Sequence, residues 1–122
     1  MKKKILLVDD SHTVLLMERM ILAKFPFDLI TASSGEEAVA KAITEVPDLI
    51  LMDVVMPKMN GFEAVAAIRE REATRRTPII MVTTRGEADN VEKGFTAGCS
   101  EYVTKPINSL ELLTKVRSCL GE

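Results

Sequence analysis

The stretch Leu49-Ile50-Leu51-Met52-Asp53 decides how the rest of the chain is read. Four apolar residues run without a polar interruption and end on a carboxylate. A strand with one wet face alternates apolar with polar residues. An unbroken run is covered on both faces, as in the middle of a parallel sheet. Two further runs have the same form: Ile5-Leu6-Leu7-Val8 ends on Asp9-Asp10, and Ile79-Ile80-Met81-Val82 ends on Thr83-Thr84. Weaker runs at Leu29-Ile30-Thr31 and Tyr102-Val103 predict edge strands. Segments 12–24, 35–45, 61–72, 87–97 and 108–120 mix apolar and charged residues at helical spacing. Strand followed by helix, repeated along the chain, predicts an α/β fold built on a parallel sheet with right-handed crossovers.

The punctuation agrees. Ser34 with Glu37 predicts a capping box, and Asn108 predicts a cap for the last helix. Pro47 and Pro78 stand just before the third and fourth strands, and Pro106 just after the fifth. Gly61 after Asn60 predicts a sharp turn, and Gly94 and Gly98 a loose end to the fourth helix. The 122 residues suit one domain, 1–122, with no output module expected. The net charge of −2 and the lack of a basic stripe argue against direct nucleic-acid binding. Uninterrupted apolar runs this short predict no membrane insertion, and the one behind Met1-Lys2-Lys3-Lys4 stops at Asp9, too soon for an export signal. Cys99 and Cys119 are too few for a disulfide framework and are read as reduced and buried, in a cytoplasmic protein.

In open α/β sheets, ligands bind beyond the carboxyl ends of the strands. Asp9, Asp10 and Ser11 follow the first strand, Asp53 the third, Thr83 and Thr84 the fourth, and Thr104-Lys105-Pro106 the fifth. Singly, each is an ordinary loop or cap residue. Together, if the central strands are neighbours, they crowd three carboxylates at one edge. Like charges this close repel and need a cation. Mg²⁺ takes oxygen ligands and is often shared between carboxylates and a phosphate. A carboxylate, a metal, a lysine and a hydroxyl form a site for phosphoryl transfer.

These motifs resemble the receiver domain of two-component response regulators, of the stand-alone CheY-like type. The resemblance rests on Leu7-Val8-Asp9-Asp10-Ser11, on the run from Leu51 through Asp53 and Pro57 to Gly61, on Met81-Val82-Thr83-Thr84 and on Tyr102-Val103-Thr104-Lys105-Pro106. It implies a five-stranded sheet in order 2-1-3-4-5. It implies that Asp53 is the phosphoacceptor, with Mg²⁺ held by Asp10 directly, Asp9 largely through water, Asp53, and the backbone carbonyl of Val55. Thr83 would be the switch hydroxyl, Lys105 the partner of a phosphoryl oxygen, and Tyr102 an aromatic that moves inward on activation. The Lys105-Pro106 bond is expected to be cis. A histidine kinase would supply the phosphoryl group, docking near the first helix. An effector protein would read the fourth helix, fifth strand and fifth helix, roughly Gly86 to Leu120. Such a protein would be a monomer or weak dimer, would assist its own phosphorylation without being a dedicated enzyme, and would serve chemotaxis or motility signalling.

Other readings fit less well. An aspartate-nucleophile phosphatase would need Asp-x-Asp after the first strand, whereas Asp9 and Asp10 are adjacent. A flavodoxin-like carrier would need a phosphate loop where this chain has two acids. A degenerate scaffold would not keep the acceptor, acidic pair, threonine and lysine. Val55, Thr84 and Arg85 are the positions expected to set the dephosphorylation rate. The first helix is apolar at seven of nine positions from Val14 to Leu22, which suits either a docking face or a wide contact with an adjacent helix. His12, the lone histidine, is read as a helix-start residue, and the methionines as core filler.

Overall fold

The computed structural model describes residues 2–84, 92, 95 and 97–122. The predicted fourth helix (87–97) lies mostly outside these residues, as do Arg85, Gly94 and the side chain of Thr84; Glu92, Phe95 and Ala97 are helical.

Five parallel strands, β1 (Lys4–Val8), β2 (Asp28–Ala32), β3 (Leu49–Asp53), β4 (Ile79–Thr84) and β5 (Glu101–Lys105), form one sheet in the order β2-β1-β3-β4-β5. The two weaker apolar runs are the edge strands, as expected. Helices α1 (His12–Leu22), α2 (Gly35–Glu45) and α3 (Gly61–Arg69), a short 3₁₀ turn (Glu72–Thr74) and a C-terminal helix (Ser109–Cys119) complete the described elements. The predicted third helix ran to residue 72. It stops at Arg69, and the chain tightens into the 3₁₀ turn, where the buried Thr74 hydroxyl donates to the Ile68 carbonyl.

Side-chain alternation along each strand divides the core into two layers. Leu6, Val8, Ile50, Met52, Ile79 and Met81 face α2 and α3. Ile5, Leu7, Leu49, Leu51, Ile80, Val82 and Val103 face α1 and the C-terminal helix. The unbroken apolar runs are thus explained, because both sides of each central strand are covered. Each large side chain buried here contributes about 1.5–3 kcal/mol.

The helix starts follow local chemistry. Asn108 caps the C-terminal helix by accepting from the Glu111 N–H at 2.9 Å. At α2, Ser34 accepts from the Glu37 N–H, but Glu37 turns back to the Ser33 N–H at 2.7 Å, so the expected capping box is displaced by one residue. The reciprocal box stands instead at α3, between Asn60 and Glu63. Gly61 answers to crowding rather than to turn geometry: a Cβ there would lie 2.2 Å from the Asp53 carbonyl oxygen. Gly98 has φ +116°, a backbone that favours glycine, with Arg69 against it. Cys99 is buried, Cys119 is only partly so, and both are free. Among the methionines, Met52, Met56 and Met81 fill the core, while Met17 and Met20 stand in solvent.

Val46 ends α2 in the left-handed region, with φ 44°. A β-branched residue there is strained by about 1–2 kcal/mol. Val46→Asn should therefore raise stability by about 1 kcal/mol, read as a higher urea midpoint at unchanged slope.

Candidate functional site

Strand register brings the predicted residues together. Val8 pairs with Met52, and Asp53 pairs with Val82, so the carboxyl ends of β1, β3 and β4 lie level. Asp9 follows Leu7 on the face turned toward α1, and Asp53 follows Leu51 on that same face. Lys105 continues the same face of β5 after Val103. Its ammonium donates to Asp53 Oδ1 at 3.0 Å and to Asp9 Oδ2 at 3.2 Å, which ties both carboxylates to the far edge of the sheet. Asp9 is fully engaged, because its Oδ1 accepts from the Ser11 N–H at 2.8 Å. Asp10, the next residue, is exposed.

Asp9, Asp10 and Asp53 each offer a carboxylate oxygen, and these atoms lie within 4.8 Å of one another. Hard oxygen donors this close suit a divalent cation such as Mg²⁺. Both oxygens of Asp9 already have partners, which leaves Asp10 and Asp53 freer to contact an ion directly. Val55, two residues past Asp53, has its side chain 68% exposed beside the site.

The electrostatics follow from burial. Burial pushes the Asp53 carboxyl up to about 6; the Lys105 hydrogen bond opposes this and the charge of Asp9 adds to it. Burial works against the charge of Lys105, but its bonds to Asp53 and the nearby carboxylates outweigh that and raise its pKa. At neutral pH Asp53 is thus a largely ionised, partly desolvated carboxylate beside a fixed cation.

Thr83 lies on the opposite face of the sheet, following Met81. Its hydroxyl is buried and has no hydrogen-bond partner among the described residues. An unsatisfied buried hydroxyl costs about 1–3 kcal/mol, so this position is a local liability in the described structure. Tyr102 packs against that same layer, and the register Met81↔Tyr102 and Thr83↔Thr104 makes Thr83 and Tyr102 diagonal neighbours. The Lys105-Pro106 peptide is cis.

The loop after Asp53 is held at two points by absent side chains. Gly61 sits against the Asp53 carbonyl, its N–H donating to the Val54 carbonyl at 2.9 Å. A Cβ on Gly35 would lie 2.5 Å from the Met59 carbonyl oxygen.

One residue of the site region escaped the sequence reading. Glu18 is 0% exposed, and neither carboxylate oxygen has a partner among the described residues. It follows Leu15 by three residues and precedes Leu22 by four, so it lies on the buried stripe of α1. That spacing was the available signal. His12 opens α1 in solvent, as expected, and the surplus apolar face is exposed at Leu16, Met17 and Met20.

The carboxyl edge of this doubly wound parallel sheet thus gathers an acidic trio, a bridging lysine and a threonine hydroxyl with no partner among the described residues. The chain belongs to the response regulator receiver domain family, whose model matches residues 5–117. It is 39% identical over 120 residues to PhoP, the alkaline phosphatase synthesis transcriptional regulatory protein of Bacillus subtilis, a match that covers 98% of this chain and 49% of PhoP. The chain thus spans about half the length of that relative. Among solved structures, chemotaxis protein CheY4 of Vibrio cholerae is 36% identical with a TM-score of 0.92, covering 98% of this chain and all (100%) of CheY4. The receiver domain of sensor histidine kinase PA1611 from Pseudomonas aeruginosa, with a magnesium ion coordinated in its active-site cleft, is 30% identical with a TM-score of 0.92, and each chain is covered in full (100%).

Burial holds the Glu18 carboxyl at about 8, against an ordinary 4.5, and the charge of Asp9 adds to the effect. An acid whose folded pKa is raised keeps its proton in the folded state between those two values, so stability falls as pH rises through that window. Glu18→Leu removes this loss. Its advantage over the wild type should be small near pH 4.5 and grow to on the order of 2–3 kcal/mol by pH 7, read by urea unfolding. Glu18→Gln should flatten the same slope. Parallel pH dependences for the wild type and both variants would refute the assignment.

Proposed function

We propose that this receiver domain serves a two-component response regulator: a histidine kinase phosphorylates it on Asp53, and it signals through a changed protein surface. The observation that carries the reading is the buried Asp53 carboxylate, 3.0 Å from the Lys105 ammonium and within reach of Asp9 and Asp10. In the forward step an Asp53 carboxylate oxygen attacks phosphorus, the P–N bond to the kinase histidine breaks, and the imidazole leaves with a proton. Asp9, Asp10, Asp53 and the Val55 carbonyl would hold Mg²⁺, which when bound supplies neutralising charge to the phosphoryl oxygens. Lys105 moves from Asp53 onto a phosphoryl oxygen, and the idle Thr83 hydroxyl gains an acceptor there. Phosphorylation adds roughly one further negative charge and three acceptor oxygens. As Thr83 closes, Tyr102, its diagonal neighbour, fills the space. Water then attacks phosphorus and returns the Asp53 carboxylate and inorganic phosphate. The domain assists both steps on itself and is not a dedicated enzyme.

The exposed apolar face of α1, with Leu16, Met17 and Met20, supports kinase docking there. The surface from about Gly86 to Leu120 would meet an effector protein. The net charge of −2 supports protein rather than nucleic-acid contacts for this domain. No described helix is long and apolar enough to cross a membrane. We place the protein in the cytoplasm as a monomer or weak dimer. The likeness to CheY4 favours chemotaxis or motility as the setting.

Incubation with acetyl phosphate should label the wild type only with Mg²⁺ present, and Asp53→Asn should abolish the label. A folded protein that stays unlabelled with Mg²⁺, or a labelled Asp53→Asn, would sink the reading. Val55 is apolar and exposed beside the acceptor and cannot orient an attacking water. Val55→Asn should therefore shorten the phosphoryl lifetime several-fold, by about 1 kcal/mol of barrier, measured as loss of label after a chase.

A further inference from the structure

Tyr102 is held from three directions, and one residue supplies two of them. The Lys115 ammonium, on the C-terminal helix, lies 4.7 Å from the centroid of the Tyr102 ring. The same ammonium donates to the Tyr102 carbonyl at 2.5 Å. Glu101 closes the loop, since its Oε1 accepts from the Tyr102 N–H at 3.0 Å and lies 3.6 Å from Lys115 Nζ. These bonds occupy the backbone groups that an edge strand leaves open on its free side. On the ring itself, Phe95 packs edge-on, with centroids 6.1 Å apart and planes at 90°. The Tyr102 ring is half-buried against the layer of α2 and α3, Phe95 beside it is exposed, and Lys115 reaches the ring from the C-terminal helix, so the ring lies at the rim of the sheet.

A cation over an aromatic face is attracted to the ring quadrupole, by about 0.5–1 kcal/mol where it is partly exposed. Inward movement of the ring must break that contact, whereas the carbonyl bond and the Glu101 pair can persist because they hold backbone. Lys115 therefore opposes ring movement specifically. We propose that Lys115 is the positioning residue of the switch: its ammonium holds the Tyr102 ring at the rim in the resting state, and this contact must be given up on activation. The proposal rests on the reading of Tyr102 as the moving aromatic, and it adds the group that restrains it.

The chain has one tyrosine and no tryptophan, so its tyrosine fluorescence reports Tyr102 alone. Acrylamide quenching, with no Mg²⁺ or phosphoryl mimic present, should change about twofold in Lys115→Met, which keeps an apolar stem but loses the charge. Lys115→Arg should restore wild-type quenching, because guanidinium also stacks on rings. Glu101→Gln, which keeps an acceptor for the Tyr102 N–H, should leave quenching near that of the wild type. With Mg²⁺ present, titration with beryllofluoride, a phosphoryl mimic, should reach its fluorescence midpoint at about two- to fivefold lower concentration in Lys115→Met. Unchanged quenching in Lys115→Met would overturn the positioning role. Changed quenching with an unmoved midpoint would overturn the claim that the contact opposes switching. A wild type that never responds to beryllofluoride would overturn the switch reading instead, and quenching would still decide whether Lys115 positions the ring.

Discussion

The bond pair from Lys105 to Asp9 and Asp53 is the constraint on which the site depends. It joins the first, third and fifth strands at their carboxyl ends. Two carboxylates so deeply buried would repel each other and favour protonation without a cation between them. Lys105 opposes the upward push of burial on Asp53, whose carboxyl, at about 6, is largely ionised at neutral pH. The geometry demands the whole topology. The order β2-β1-β3-β4-β5 sets β1 beside β3, and the parallel register sets the strand ends level. Core packing and site chemistry are therefore consequences of one arrangement.

Alternation along the strands does a second job. Asp9, Asp53 and Lys105 share the face that α1 covers, while Thr83 and Tyr102 share the face of α2 and α3. Charge is gathered on one side of the sheet, and the hydroxyl and ring that respond lie on the other. The loop beyond Asp53 is denied freedom by close backbone approaches at Gly35 and Gly61.

Much of this was legible in the sequence because the central strands carry an unmistakable pattern. The unbroken runs at Ile5, Leu49 and Ile79 located the three middle strands, and the acids and lysine that follow them located the site. What was less legible has physical reasons. Helix ends depend on which N–H a side chain happens to reach, so the box at Ser34 slipped by one residue and that at Asn60 went unread. Gly61 reads locally as a turn residue, and its cause, the Asp53 carbonyl, is visible only in three dimensions. Glu18 reads as a solvated charge in a helix, and its burial follows only once α1 is laid on the sheet. The hold of Lys115 on Tyr102 joins residues on two different elements and has no local signature.

Among the described residues, two buried polar groups near this site have no partners, and they differ in kind. The Thr83 hydroxyl is small and neutral, stands at a strand end, and has a clear prospective acceptor in a phosphoryl oxygen. On the proposed reading, its cost in the resting state is recovered when a phosphoryl oxygen arrives. Glu18 is a full carboxyl inside an apolar layer, on the same side of the sheet as Asp9, Asp53 and Lys105. Kept neutral, it adds no charge to that crowd; ionised, it would compete with Asp53 for the field of Lys105. The fold thus tolerates Glu18 only while burial keeps its proton on, and the acceptor retains its lysine for the same reason. Lys115 acts in the opposite sense to Thr83, since it rewards the ring for staying at the rim. On the proposed reading, the Thr83 hydroxyl and the Lys115 contact bear on the same switch from opposite sides, which is where a local change of charge would act.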